Sequence, residues 1–314
     1  MTPMPTAPGA ANWIRLVIIA LIWGGAFMGV KIALDDFTPL QLAASRIGIG
    51  AFALWMLMKA RGISFPPLSE STIWRFIIII AITSTALPFA MLSWGQQYVP
   101  SAFAGMSMAA VPLFILPLAH IFVPGEQMYT RKVLGFVVGF IGTMILIGTG
   151  GLQAADSWTL QLAQVACVAA SLCYACNSIL TKRCPPVNEL ALSTAALIVA
   201  FMILTPFALY FEGVPSDISQ TGWIAMIYLG LIPTAAAYLL KVAVVRSAGP
   251  SFMSLVNYQV PVWSIILGAV FLGESLPQTL FIALALILIG LAVSQWTTLK
   301  GLFVRRRLSG VDAA

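Results

Sequence analysis

Charged side chains are scarce in this sequence. Its 314 residues include 16 Lys or Arg and 10 Asp or Glu, 8% in all, whereas an ordinary soluble domain carries about 25%. That is too little charge to cover a water-facing globule, which excludes a soluble multidomain enzyme, a disordered regulator and a disulfide-rich secreted protein. A single histidine, His120, and four cysteines, Cys167, Cys173, Cys176 and Cys184, leave nothing for a metal centre. Cys173 and Cys176 have C-x-x-C spacing but lie in an apolar run without a second pair, so they read as small packing residues. A Gly-x-x-x-x-Gly-Lys phosphate loop is missing too, which removes ATP as a direct energy source. No metal and no cofactor are expected.

What the chain has in abundance is apolar sequence, 60% of all residues. It forms ten runs, each long enough for a helix across a hydrocarbon core of about 30 Å. They span Trp13–Ala33, Pro39–Lys59, Trp74–Trp94, Ser101–Val123 and Arg131–Thr149, then Thr159–Thr181, Ala191–Phe211, Thr221–Lys241, Pro250–Leu272 and Leu276–Thr298. The runs are apolar all round and not alternating, which argues against barrel strands. The first follows twelve residues without Lys or Arg and lacks a small-residue exit, so it reads as a retained helix and not a cleaved signal.

Basic residues set the expected orientation. With the N-terminus in the cytoplasm, 13 of the 16 fall on the cytoplasmic side, including Arg61, Arg75, Arg131, Lys132, Arg183 and the tail residues Arg305, Arg306 and Arg307. The opposite connections hold Asp35, Asp36, Asp156, Glu212, Asp217 and Glu274. The net charge of +6 is thereby explained by orientation and attraction to anionic lipid, with no nucleic acid needed. Trp13, Trp74, Trp158, Trp223 and Trp296 mark span ends as an interfacial belt would, while Trp23 and Trp263 sit near mid-span.

The two halves echo each other. Gly125-Glu126 follows the fourth run and Gly273-Glu274 the ninth, 148 residues later; Pro112 and Pro261 lie 149 apart, and Gly142 and Gly290 are again 148 apart. Pro88 and Pro233 mark the third and eighth runs. Five spans per half is an odd number, so the second half starts on the opposite side of the membrane, a plan common among secondary transporters. The expected protein is all-α and polytopic, with ten transmembrane helices as two inverted five-helix repeats around a central cavity. Residues 1–12 form a cytoplasmic tail, 13–149 and 150–298 the repeats, and 299–314 a basic cytoplasmic tail.

These features resemble the drug/metabolite transporter superfamily, and within it the EamA type and its aromatic-amino-acid exporters. Trp23-Gly24 in the first run, Arg46 after Pro39 in the second and the two Gly-Glu pairs carry the resemblance. The second half departs from it, with no counterpart of Arg46 and with Tyr174-Ala175 where Trp23-Gly24 would repeat. The resemblance implies eight helices around a cavity, braced by the fifth and tenth, and a bacterial inner-membrane location.

All ten acids fall outside the span interiors, so a carboxylate-driven proton relay or a counter-ion for multivalent cations is not expected. Arg46 is the basic residue clearly inside a span. It binds a substrate carboxylate through its donor fork, or it is structural, pairing with a helix carboxy end or with Glu274. His120, one turn from the end of the fourth run, is either a proton site near neutral pH or an interfacial hydrogen-bonding residue. Trp23, Tyr174, Asn177, Tyr238, Asn257, Tyr258 and Trp263 form the expected cavity lining, suited to a zwitterion with an apolar side chain; the alternative is aromatic packing between helices. Pro88, Pro112, Pro233 and Pro261 are hinges or static kinks, each freeing a backbone carbonyl. Gly135 and Gly139 permit a close helix contact within the chain.

The expected function is export of amino acids, aromatic or otherwise neutral, or of similar metabolites by alternating access, with membrane lipid as surroundings and a monomer or weak dimer as the unit. A multidrug exporter is one rival. An intramembrane lipid- or isoprenoid-modifying enzyme is another, but it would need clustered Asp, His or Ser at one depth.

Overall fold

Segments this apolar fold as helices because a backbone in hydrocarbon has to satisfy its own hydrogen bonds. The computed structural model describes residues 9–122, 128–148, 158–248, 250–253, 255–294 and 296, and among them the regular structure is all helix, without strands. Helices α1 (Ala10–Ala33), α2 (Pro39–Ala60), α3 (Ser71–Gly95), α4 (Ser101–Phe122), α6 (Trp158–Arg183), α7 (Glu189–Phe211) and α8 (Gln220–Lys241, continuing to Ala248) are each long and apolar enough to cross a membrane. Between them lies α5 (Thr130–Gly148), a 19-residue helix. Two shorter apolar helices, α9 (Val256–Leu272) and α10 (Gln278–Ser294), complete the described bundle. Outward faces stay apolar, with Val270 70% and Phe271 68% exposed, as a lipid-facing surface requires and a monomer in water avoids.

The observed helices follow the apolar runs closely and differ at one. The ninth run divides into a turn at Pro250–Met253 and the helix Val256–Leu272. The first Gly-Glu pair, Gly125-Glu126, and the tail 299–314 lie outside the described residues, as does most of the N-terminal tail.

Three helices are locally irregular. In α3 the segment Ile82–Ala86 widens into a π turn just before Pro88, and in α8 the π turn Gly230–Ala236 contains Pro233. Proline lacks the N–H that would continue an α ladder, and a π turn, rare elsewhere, accommodates such a local break inside an α-helix. In α4 a 3₁₀ turn, Met108–Ala110, directly precedes Pro112. By contrast, Pro261 sits within α9 without an irregular turn, as do Pro117 in α4 and Pro206 in α7.

Packing divides the interior into two main clusters. One gathers α1, α4, α6, α9 and α10 with the end of α3, through residues such as Leu16, Leu92, Phe103, Cys167, Phe252 and Ile287. The other gathers α2 and α7 with the beginning of α3, through Ile47, Leu54, Ile77, Leu197 and Ala235. A smaller cluster of Ala26, Val30, Phe37, Leu42, Met226 and Leu229 joins α1, α2 and α8 at the end of the bundle where α1 finishes.

At that same end, carboxylates cap helices that lie far away in sequence. Glu274 accepts from the Ser101 and Ala102 N–H groups at the start of α4, at 2.6 and 3.1 Å. Gly273 makes this possible: its φ of 62° is left-handed, a conformation glycine adopts readily, and it turns the chain back after α9. Glu212 caps α2 through the Leu40 and Gln41 N–H groups at 2.9 and 3.0 Å, and it also accepts from the Thr38 hydroxyl. Asp36 accepts from Ser219 at 2.5 Å, and Ser219 in turn caps α8 at Gly222. A negative charge at a helix N-terminus satisfies orphan donors and opposes the helix dipole.

The tightest seam is between α5 and α10. A Cβ on Gly135 would lie 2.5 Å from the Gly290 carbonyl oxygen and 2.6 Å from the Ser294 nitrogen, and one on Gly142 would lie 2.9 Å from the Ala283 oxygen. The close contact expected of Gly135 and Gly139 thus forms within the chain. Since the obstacles are backbone atoms, no side-chain rotation relieves them. Gly290→Ala should therefore lose about 1–3 kcal/mol, read as a lower melting temperature in detergent. Glu274→Ala, which strips the α4 cap, should lose about 1 kcal/mol in the same assay.

Candidate functional site

The polar groups at mid-bundle converge on the π turn of α8. Trp23 on α1 donates its indole N–H to the Pro233 carbonyl at 3.3 Å. Arg46 on α2 donates from Nε to the Thr234 hydroxyl at 3.2 Å, and that hydroxyl donates to the Leu229 carbonyl at 2.8 Å. Leu229 is four residues before Pro233, so its carbonyl is the one the proline cannot serve; the π turn passes that carbonyl to the next residue, Thr234, whose hydroxyl also donates to it. Two glycines allow α2 to approach this closely. A Cβ on Gly50 would fall 2.6 Å from Thr234 Cγ2, and one on Gly230 would fall 2.5 Å from Ile49 Cβ.

Arg46 is buried, with 9% exposure, and a guanidinium in such a place costs several kcal/mol unless it is paired or wetted. Its plane lies over the Phe89 ring of α3, 4.0 Å from the centroid, a favourable cation–π placement. Tyr174 on α6 and Tyr228 on α8 are its other electrostatic neighbours. The terminal nitrogens make no hydrogen bond to the described residues. The expected alternative of a pair with Glu274 is not what forms, because that carboxylate is already committed to the α4 N-terminus. Arg46 sits on the boundary between the two main clusters: Trp23 and Tyr174 pack on one, Phe89 and Tyr238 on the other.

The remaining residues singled out from the sequence do not form one compact cluster. Trp263 on α9 backs onto Gly24 of α1, whose hypothetical Cβ would lie 2.5 Å from the Trp263 Cβ. Tyr258 has a buried hydroxyl with no partner among the described residues, while Asn257 is half-buried beside it. Asn177 accepts from Thr181 one turn along its own helix at 3.4 Å. Tyr238 donates to the Glu189 carbonyl at the start of α7, away from Arg46 and toward the opposite end. His120 is exposed in the last turn of α4. Of the hinge residues, Pro233 belongs to the α8 hub, whereas Pro88, Pro112 and Pro261 lie on other helices.

Sequence reasoning missed three participants: Thr234, Phe89 and Tyr228. A signal for Thr234 was present, since a hydroxyl residue next to a mid-span proline is a common way to satisfy the freed carbonyl. Phe89 and Tyr228 carried none, being ordinary aromatic residues of apolar runs. Among the described residues no group of His, Cys, Asp or Glu could hold a metal.

Comparison with known proteins places this geometry in context. The model of the EamA-like transporter family matches the chain twice, over residues 12–148 and 161–295. The uncharacterized transporter YoaV of Bacillus subtilis is 23% identical over 94% of this chain and 98% of its own length. The uncharacterized inner membrane transporter YedA of Escherichia coli is 25% identical over 87% of this chain and 86% of its own. A probable terminal-alkyne amino-acid exporter of Streptantibioticus cattleyicolor is 26% identical over 92% of this chain and 94% of its own. One solved crystal structure superposes with a TM-score of 0.65 at 22% identity, covering 92% of this chain and 98% of that one, a likeness of fold.

Proposed function

Since the chain belongs to the EamA-like transporter family, and is thus a multi-pass membrane transporter and not an enzyme, we propose that it exports neutral amino acids, aromatic ones included, or similar small metabolites by alternating access. Arg46 carries the reading. It is a buried guanidinium, steadied by one threonine and one aromatic face, with terminal donors that no described side chain occupies. A carboxylate fits that fork, and the aromatic residues around it suit an apolar side chain. A related chain is named as a probable amino-acid exporter, which agrees with this substrate class. On this reading Trp23, Tyr174, Asn257, Tyr258 and Trp263 face the path, with Asn177 and Tyr238 nearer its cytoplasmic end.

The architecture we propose is ten transmembrane helices in two inverted repeats, residues 13–149 and 150–298, with both ends in the cytoplasm. The double match of the family model supports it. So does the packing, which keeps its pattern when the halves are exchanged: α1 packs on α9 as α6 does on α4, and α3 packs on α6 as α8 does on α1. Helices α2 and α7, α4 and α9, and α5 and α10 pair with each other. The π turns begin at residues 82 and 230, the same 148-residue spacing that relates the Gly-Glu pairs. Every described Asp and Glu stands at a helix end or in a connection, which supports transport without an intramembrane carboxylate relay.

Purified protein in liposomes should release preloaded L-phenylalanine faster than empty liposomes, and no protein-dependent flux of any amino acid would refute the substrate claim. Arg46→Gln should raise the KM for L-phenylalanine roughly ten- to a hundredfold, the worth of one charge-assisted fork. Trp263→Ala and Asn257→Ala should lower flux while leaving folded yield largely intact; unchanged flux in both would remove them from the path.

A further inference from the structure

We propose that Thr234 is a positioning residue that couples occupancy of Arg46 to a hinge at the α8 π turn. The proposal rests on Arg46 receiving a substrate carboxylate. Thr234 is the middle of a relay: Arg46 Nε donates to its hydroxyl at 3.2 Å, and the hydroxyl spends its one hydrogen on the Leu229 carbonyl at 2.8 Å. Trp23 holds the adjoining Pro233 carbonyl at 3.3 Å. Two helices thus clamp one turn through side-chain donors.

The clamped turn is where α8 changes partners. Met226 and Leu229, before it, pack in the small cluster with α1 and α2; Ala235, at its end, packs with α2 and α7; Val244, beyond it, packs in the cluster of α1 and α9. A helix whose parts belong to different packed bodies bends where its ladder is weakest, and π turns are frequent at functional positions. The turn in α3 is served differently: Ser84 and Thr85 hydroxyls bond each other at 2.8 Å, and among the described residues no side chain of another helix donates to it.

A guanidinium gives two parallel bonds end-on, through its terminal nitrogens, or side-on, through Nε and one of them; on this proposal the arriving carboxylate takes the side-on place. Nε is the atom now given to Thr234. Substrate therefore displaces the threonine, the hydroxyl loses its orienting donor, and the side-chain bond that reinforces the π turn at the Leu229 carbonyl is no longer fixed. Because Gly50 brings the α2 backbone against Thr234, any rotation of that side chain is felt directly by α2. The empty carrier keeps the hinge clamped and the loaded carrier releases it.

Hydrogen exchange of the amides in 229–236, measured on the full chain in nanodiscs, tests this. In wild type, L-phenylalanine should speed exchange there by about threefold or more, while L-phenylalaninamide, which lacks the carboxylate, should not. Thr234→Val should show the faster exchange without ligand and no further response; Thr234→Ser should restore wild-type behaviour. Thr234→Ala serves in the same role if the valine variant does not fold. Wild-type exchange rates in the ligand-free Val or Ala variant, or a Ser variant that behaves like them, would overturn the clamp. Failure of L-phenylalanine to bind wild type would refute the substrate reading instead, and the ligand-free comparison would still decide the clamp.

Discussion

A carbonyl without a hydrogen in a lipid environment is the constraint from which most of this structure follows. Regular helices discharge it residue by residue, and that is why the described chain contains little else. Where proline breaks the ladder, a replacement has to be found locally. In α8 the π turn hands the Leu229 carbonyl to Thr234, whose hydroxyl also donates to it and accepts from Arg46, and the Pro233 carbonyl takes the indole N–H of Trp23. The polar centre of the protein is thus assembled around a defect in one helix. A buried charge that would otherwise be costly acquires a place, and a place with unused donors becomes a place where an anion can bind.

The same constraint governs the helix ends. Three acids, Asp36, Glu212 and Glu274, each reach across the division between the halves to meet a helix N-terminus or its capping serine. Their absence from the hydrocarbon and their work at the boundary are one fact seen twice. A chain with so few acids uses these three at helix starts, where backbone N–H groups hold Glu212 and Glu274 and the capping Ser219 hydroxyl holds Asp36, with no cationic partner among the described residues.

The helices were legible in sequence because length and hydropathy are local properties: Ala10–Ala33 and Pro39–Ala60 begin and end within a few residues of the runs that announce them. Arg46 stood out for the same reason, as a charge in an apolar run. The Gly-Glu spacing signalled a motif, and only the left-handed Gly273 shows what it does. The partners of Arg46 were hidden, because residues 46 and 234 meet through folding, 188 positions apart. A π turn adds nothing to composition, so the widening at Ile82–Ala86 leaves no trace beyond the nearby Pro88. The division of the interior into two main clusters was equally invisible, since Ile47 and Ile19 are alike until their neighbours are known.

The glycine seam between α5 and α10 has a consequence for how the protein sits in its surroundings. Its two helices touch backbone to backbone at Gly135, Gly139, Gly142 and Gly290, where no side chain can rotate to take up slack. They belong to different halves of the chain, and neither can change its slope in the bilayer without carrying the other. Bilayers of different thickness act on helices chiefly by tilting them. In this protein the pair responds as a single rigid keel, so a thicker or thinner membrane alters the inclination of both halves together and leaves the angle between these two helices unchanged.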